Sequence, residues 1–254
     1  MKAAAILPAR LQSTRLARKM LLAETGQALI EHSARNALAS GLFERVAVAT
    51  DSSEIQDLLR AAGIDAVMTR ADHQSGTDRV LEAAGKLGLR DFDVLVNVQG
   101  DEPEVPREDL ALLVGALADP QVEIATLCCP IDDPAEFLSP QAVKVVRDAR
   151  NDALYFSRAA VPCSIHARDG AAQDTGALRH IGVYAFRPAA LERFCGIPVS
   201  RLERLENLEQ LRWLEAGGKI RVLQTRRRAL GIDTRHEYDA FVARWRSRAQ
   251  LGTP

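Results

Sequence analysis

Four stretches of the chain gather residue types that can handle phosphate or a hard cation. The first is Pro8-Ala9-Arg10-Leu11-Gln12-Ser13-Thr14-Arg15-Leu16-Ala17-Arg18-Lys19, with its cations crowded into one loop. Arg offers a planar donor fork and Lys a point charge, so the segment suits an oligophosphate. It is neither a Walker loop nor a dinucleotide fingerprint, because no glycine lies between Met1 and Thr25. A solvated basic loop is the competing reading. The second stretch, Asn97-Val98-Gln99-Gly100-Asp101-Glu102-Pro103, sets a carboxylate just past an apolar run, a common place for a Mg2+ ligand. Gly-Asp and Glu-Pro equally favour a plain turn. In the third, Gly231-Ile232-Asp233-Thr234, Asp233 can hold a metal or begin the last helix with Thr234 as its cap. Taken locally, the helix start is the simpler choice. The fourth, Thr69-Arg70-Ala71-Asp72-His73-Gln74-Ser75-Gly76-Thr77-Asp78-Arg79, places small hydroxyls and a glycine before a helix. Such a start lets a base or phosphate approach closely. A lone His73 is more often a structural hydrogen-bonder than a catalyst.

The elements that must position these groups alternate. Strand-like runs at Ala3–Leu7, Val46–Ala49, Val67–Met68, Val94–Val96 and Ile124–Cys129 are apolar throughout. Helical spacing joins Leu29, Ile30, Ala34, Ala37 and Leu38, and covers Thr77–Leu87 and Arg107–Leu117. Ser53 with Gln56 resembles a capping box before Leu58 and Leu59. Strands apolar on both faces, with helices between them, predict a parallel sheet covered on both sides. Ligands of such sheets bind beyond the strands' C-terminal ends, where the polar stretches lie.

After residue 130 the rhythm changes. Val143–Val146 and Ala153–Phe156 read as a hairpin turning at Asp148–Asp152, and Ile181–Phe186 as a further strand. Ser164–Ala177 reads as a polar, flexible loop. Leu202, Leu205, Leu208, Leu211 and Leu214 suggest one helix with an apolar stripe, and Glu206, Glu209, Gln210 and Trp213 fall opposite. That second face is either solvated or a contact surface. The expected architecture is one domain over residues 1–254 with a β-rich subdomain inserted at 130–215.

Composition narrows the class. The 254 residues carry 33 Lys and Arg against 34 Asp and Glu, a net charge of −1, with 47% hydrophobic residues. That excludes disorder and a nucleic-acid binder acting through bulk basicity. No apolar run approaches the ~20 residues of a membrane span, and no signal peptide is evident, so a cytoplasmic protein is expected. Cys128, Cys129, Cys163 and Cys195 form no CxxC pair, which disfavours zinc and leaves reduced, partly buried thiols.

Read in order, the motifs are specific. PAR..STRL..K (8–19), VATD (48–51), TRADHQSGTDR (69–79), VNVQGDEP (96–103), AVKVV (142–146), ALYFSRA (153–159), RHIGVYAF (179–186), LEQLR (208–212) and GIDT (231–234) follow one another nearly end to end. The chain thereby resembles the 3-deoxy-manno-octulosonate cytidylyltransferases, or CMP-Kdo synthetases. The resemblance implies an α/β nucleotidyltransferase fold of the glycosyltransferase-A type, whose mostly parallel sheet is flanked by helices. It implies an inserted dimerisation subdomain, a homodimer, dependence on Mg2+, and CTP and Kdo as substrates in lipopolysaccharide synthesis. It assigns the nucleotide to Ala9, Arg10, Ser13, Arg15, Lys19, Arg70, Gln74, Ser75 and Gly76, with Gln74 and Ser75 by the cytosine. It assigns the metal to Asp101 and Asp233, and catalysis to those two with Arg15 and Lys19. The sugar acid falls to Gln99, Arg158, His180, Tyr184, Glu209 and Gln210.

Two departures stand out. Arg15-Leu16-Ala17-Arg18-Lys19 replaces the family's usual RLPGK, losing a preset turn and adding a cation, and Cys163 stands where Trp is common. The implied reaction is attack of the anomeric hydroxyl of Kdo on the α-phosphorus of CTP, so no Ser or Cys nucleophile is required. The rival expectations are transfer to another acidic sugar, of the amino-Kdo or sialic acid type, and a non-catalytic nucleotide sensor on the same fold. A sensor has no need of both aspartates.

Overall fold

A computed structural model of the chain describes residues 1–13, 15–163, 176–226 and 231–250. The chain forms two compact units, one of residues 2–110 and 229–254 and one of residues 111–228.

The first unit is built on β1 (Ala3–Ala9), whose seven residues are all buried. A strand covered on both faces has to be apolar throughout, which is why this stretch shows no alternation. Strand β2 (Arg45–Thr50) pairs parallel to it with Ile6 opposite Ala47, and β4 (Val94–Asn97) pairs on its other side with Ala5 opposite Val96. Strand β3 (Ala66–Met68) extends the sheet beyond β2. Parallel neighbours need crossovers. Here these are α1 (Leu29–Ala39), α2 (Ser53–Ala61) and α3 (Gly76–Lys86). The α2 cap is Ser52, whose side chain accepts from the Ile55 amide, one residue before the expected Ser53. Ser75 caps α3 in the same way through the Asp78 amide. Because the four strands run the same way, the loops after β1, β2, β3 and β4 share one edge. Helix α4 (Arg107–Ala116) leads out of this unit, and α9 (Arg235–Gln250) returns to it.

Helix α9 seals the end near the basic loop. Tyr238, Phe241 and Val242 pack with Leu29 of α1 and with Ile232, and Leu16 and Leu22 of the loop lie against them. His32 is buried edge-on to Phe241 and Trp245, at 5.1 and 4.4 Å between ring centroids.

The second unit is mixed. Strand β5 (Ile124–Pro130) pairs antiparallel with β8 (Leu178–Phe186) and parallel with β9 (Arg221–Gln224). Strands β6 (Lys144–Arg147) and β7 (Ala153–Ser157) form the expected hairpin, and β6 also pairs with β8. Helices α5 (Pro134–Leu138) and α6 (Pro188–Gly196) connect the strands. Of the loop expected at Ser164–Ala177, residues 164–175 lie outside the described residues.

The single helix expected over Leu202–Leu214 is two: α7 (Arg201–Glu206) and α8 (Gln210–Glu215). Leucines spaced by three drift by roughly 60° per step on a helix of 3.6 residues per turn, so one straight helix cannot bury all five. The chain breaks at Asn207, which takes the left-handed conformation at φ 52° that Asn tolerates. Leu208 and Leu211 become buried while Leu205 is 68% exposed. Trp213, expected on an outer face, is buried and donates its indole N–H to Lys219 O at 3.0 Å. None of the cysteines is disulfide-bonded: Cys128 and Cys129 are buried, Cys195 half-buried and Cys163 exposed. Among the described residues no helix is long and apolar enough to cross a membrane.

Candidate active site

At the shared strand edge of the first unit lies a cleft of about 340 Å3. Pro8, Arg10, Gln12, Ser13, Arg15, Lys19, Met20, Gly76, Gln99, Gly100, Asp101 and Asp233 line it. At its floor the Lys19 ammonium donates to Asp101, to Asp233 Oδ1 at 2.8 Å and to the Ile232 carbonyl at 3.1 Å. Arg15 pairs with the other Asp233 oxygen at 2.9 Å. Burial works against the Lys19 charge, yet the two carboxylates outweigh it and raise its pKa above the ordinary lysine value.

Local structure explains the convergence. Lys19–Leu21 form one 3-10 turn, with Met20 buried and Leu16 and Leu22 packed on the α9 cluster. The missing Pro-Gly turn is made by Arg18 itself, at φ 52° and ψ 30°, with its guanidinium paired to Glu54. Asp233 is held because Ile232 is core and its amide donates to Asp101 O at 3.0 Å. Gly100 must be glycine: a Cβ would sit 2.8 Å from Pro8 O and 2.9 Å from Ile30 Cδ1. Ser33 Oγ donates to the Gly100 carbonyl at 2.7 Å, fixing the loop that ends in Asp101.

Arg10, Ser13, Arg15, Lys19 and Gly76 of the expected nucleotide set thus line one cleft with Gln99, Asp101 and Asp233. Arg70 and Gln74 line a different cavity of about 400 Å3, with Asp72, His73, Asp78, Leu81 and Glu82. Ser75 serves as the α3 cap and also donates to Asp78 Oδ2 at 3.0 Å, and Ala9 is a buried strand residue. His73 bonds Glu82, which also accepts from the Arg70 amide and pairs with Lys86. Burial pushes the Glu82 carboxyl up, but these donors overcome it and bring its pKa down to about 2.

The remaining residues expected to meet the sugar acid lie in the second unit. A bulge between Thr126 and Leu127 in the β5–β8 pairing lets Thr126 Oγ1 donate to the carbonyl of Ile181 or Val183 and sit 3.1 Å from His180 Nε2. His180 and Tyr184 rings lie 5.4 Å apart. Burial, helped by neighbouring Arg179, pushes His180 down to about 3, so the ring is neutral. Burial and the nearby Glu209 charge hold the Tyr184 phenol protonated. The Tyr184 hydroxyl lies by Thr126 without a well-formed bond, and Gln210 Nε2 is buried without a partner. Buried polar atoms left this way carry a cost that a polyhydroxylated ligand would relieve. Arg158 is committed elsewhere: its guanidinium donates to the carbonyls of Glu206, Pro140 and Asn207 at 2.8, 2.9 and 3.4 Å.

The cytidylyltransferase family model matches residues 4–220. The chain is 45% identical to the 3-deoxy-manno-octulosonate cytidylyltransferase of Nitratidesulfovibrio vulgaris over 239 residues, 93% of each protein. It is 43% identical to that of Yersinia enterocolitica over 242 residues, 94% of this chain and 96% of that protein. The chain belongs to the 3-deoxy-manno-octulosonate cytidylyltransferase family. A solved CMP:2-keto-3-deoxy-manno-octonic acid synthetase complexed with CTP superposes on this family member with a TM-score of 0.89 at 37% identity. That match covers 98% of this chain and all of the solved one.

In this cytidylyltransferase, Arg79 and Glu206 take structural roles that the spacing did not assign to them. Arg79 is fully buried and ties Thr69 to Asp51, at 2.6 and 2.8 Å, across the ends of β3 and β2. Glu206 accepts from Ser157 Oγ at 2.7 Å and from the Arg158 amide at 2.8 Å, joining β7 to the α7–α8 junction. Spacing puts Arg79 in the fourth polar stretch and Glu206 on the outer face of the 202–214 leucines, but it names the partners of neither.

Proposed function

We propose that this cytidylyltransferase transfers CMP from CTP to the anomeric hydroxyl of Kdo. The observation that carries this is the convergence of Lys19, Asp101 and Asp233 at the floor of a cleft edged by Arg10 and Arg15. The cations suit the triphosphate, with Arg15 and Lys19 neutralising the leaving pyrophosphate. The anomeric oxygen forms a bond to the α-phosphorus as the α-phosphorus to bridging-oxygen bond breaks, and the hydroxyl proton passes to solvent. Positioning and charge neutralisation do the catalysis, and no covalent enzyme intermediate is formed.

Asp101 and Asp233 fit Mg2+. Both are hard oxygen donors aimed at one cation position, and among the described residues no cluster of three or more acidic, His or Cys groups competes. Two protein carboxylates would suit an ion that is ordinarily held by one or two carboxylates together with water and substrate phosphates. When bound, Mg2+ supplies charge neutralisation and acidifies an oxygen ligand. To the sugar acid we assign Gln99, His180, Tyr184, Glu209 and Gln210, whose side chains can read hydroxyls. Arg158 belongs to this set as a carboxylate partner on condition that it exchanges a carbonyl for it. To the base we assign Arg70, Gln74 and Ser75. A homodimer acting in the cytoplasm completes the proposal, since the hairpin-bearing second unit offers sheet edge that a second copy would cover.

The test mixes protein, Mg2+, CTP and Kdo and follows pyrophosphate. Release that depends on both substrates supports the assignment. Faster release with an amino-Kdo or a sialic acid would move it to that sugar, and comparable rates with UTP would overturn the choice of cytosine. Light scattering at micromolar concentration should return a dimer mass, and a monomer would remove that part.

A further inference from the structure

The Asp101–Asp233 pair already holds a cation of the protein's own. The Lys19 ammonium has three N–H donors and spends them on Asp101 Oδ2, Asp233 Oδ1 and the Ile232 carbonyl. Arg15 takes Asp233 Oδ2, so three of the four carboxylate oxygens face protein cations. The Lys19 side chain is 9% exposed, which leaves the position between the aspartates filled rather than open to water. Two negative and two positive charges cancel there. A dication added to this arrangement would meet three oxygens already engaged and a neighbouring ammonium, an unfavourable like-charge contact.

We propose that Lys19 is the resident cation of the carboxylate pair, and that a divalent ion enters only as a polyanionic ligand draws the ammonium off. This rests on the reading of the cleft as an oligophosphate site and adds the order in which it fills. The backbone of Lys19 is pinned by its 3-10 turn, with Met20 buried behind it, so the ammonium moves only by rotation about its four-carbon stem once its three hydrogen bonds are exchanged. A triphosphate brought in by Arg10 and Arg15 offers the ammonium new oxygens within the same cleft. The vacated carboxylates then repel each other until a second cation arrives. Each ligand therefore raises the affinity of the other, and by linkage the two effects are equal. The protein avoids holding a metal with no nucleotide to act on.

Nucleotide-free protein titrated with Mn2+, read by the loss of the free-ion paramagnetic resonance signal, tests this without turnover. Wild type should bind weakly. Lys19→Met should tighten Mn2+ by about tenfold or more, because it removes the competitor, and Lys19→Arg should stay near wild type. Arg15→Met removes one neighbouring charge but leaves the filled position, so its gain should stay under about threefold. No gain in Lys19→Met, or equal gains in Lys19→Met and Arg15→Met, would overturn the proposal. If Lys19→Met folds only with metal, its melting temperature should climb with Mn2+ far more steeply than that of wild type, and parallel slopes would overturn it too. Failure of Kdo-dependent pyrophosphate release with this Mn2+ pattern intact would remove the substrate assignment and leave Lys19's role standing.

Discussion

Replacing Gly100 by alanine adds one methyl group where the fold has no room. The new Cβ would lie 2.8 Å from the Pro8 carbonyl oxygen, 2.9 Å from Ile30 Cδ1 and 3.4 Å from Met20 Cε. Ile30 and Met20 can rotate away. Pro8 cannot, because it belongs to the central strand β1, paired through this region with β2. The loop after β4 must therefore retreat by about half an ångström to reach ordinary contact, which costs about 1–3 kcal/mol for overpacking. Retreat also strains the 2.7 Å bond from Ser33 to the Gly100 carbonyl and carries Asp101, the next residue, away from Lys19. A misplacement of that size at a reacting centre lowers kcat by about 10- to 100-fold. Urea denaturation gives the stability change, and pyrophosphate release gives kcat and KM. Gly85→Ala is the control, since its Cβ meets nothing within 4 Å on α3, and it should raise stability by up to about 1 kcal/mol. Wild-type stability and kcat in Gly100→Ala would show that the close approach to Pro8 does not govern the loop.

Asp233→Asn should lower turnover by about 100-fold or more, near 2.7 kcal/mol of transition-state stabilisation, at unchanged substrate concentrations. The Asp233 side chain is 35% exposed, so the melting temperature should move little, and a large fall in both would make Asp233 structural. Glu209→Ala should raise KM for Kdo by an amount worth about 1–3 kcal/mol and spare KM for CTP, and an equal loss for CTP would move Glu209 out of the sugar set. Stability should also depend on His180. Burial holds its folded pKa near 3, against 6.5 for an ordinary histidine, so between these values the unfolded chain binds a proton that the folded one refuses. Stability from this group is complete above 6.5 and is lost as pH falls toward 3, with a slope of at most about 1.4 kcal/mol per pH unit. Denaturation midpoints of wild type and His180→Gln across that range should converge at low pH, and parallel curves would contradict a neutral ring.

Much of this protein is written in its linear order. Continuous apolar runs such as Ala3–Leu7, too short for a helix of ordinary length, read as strands covered on both faces, and their alternation with helical spacing points to the parallel sheet of the first unit. Parallel strands send the loops carrying Arg10–Lys19, Thr69–Gly76 and Gln99–Asp101 to one edge, so the cleft's position follows from the pattern alone. The motif order identifies the family because nine weak matches in sequence are jointly specific. Tertiary structure decided the rest, wherever the outcome depends on what a side chain meets across the fold. Asp233 reads locally as a helix start, and Thr234 does bond Glu237 there, yet the Ile232–Asp101 hydrogen bond also sets it beside Asp101. That Lys19 stands between the two carboxylates depends on the α9 cluster that clamps its loop. Leucines at 202–214 look like one helix until burial of Leu208, Leu211 and Trp213 forces the break at Asn207. Arg158 and Glu206 show why spacing could not settle their roles: a charge spends itself on whichever polar atoms the packed chain brings near, and desolvation makes that choice only once the fold has closed.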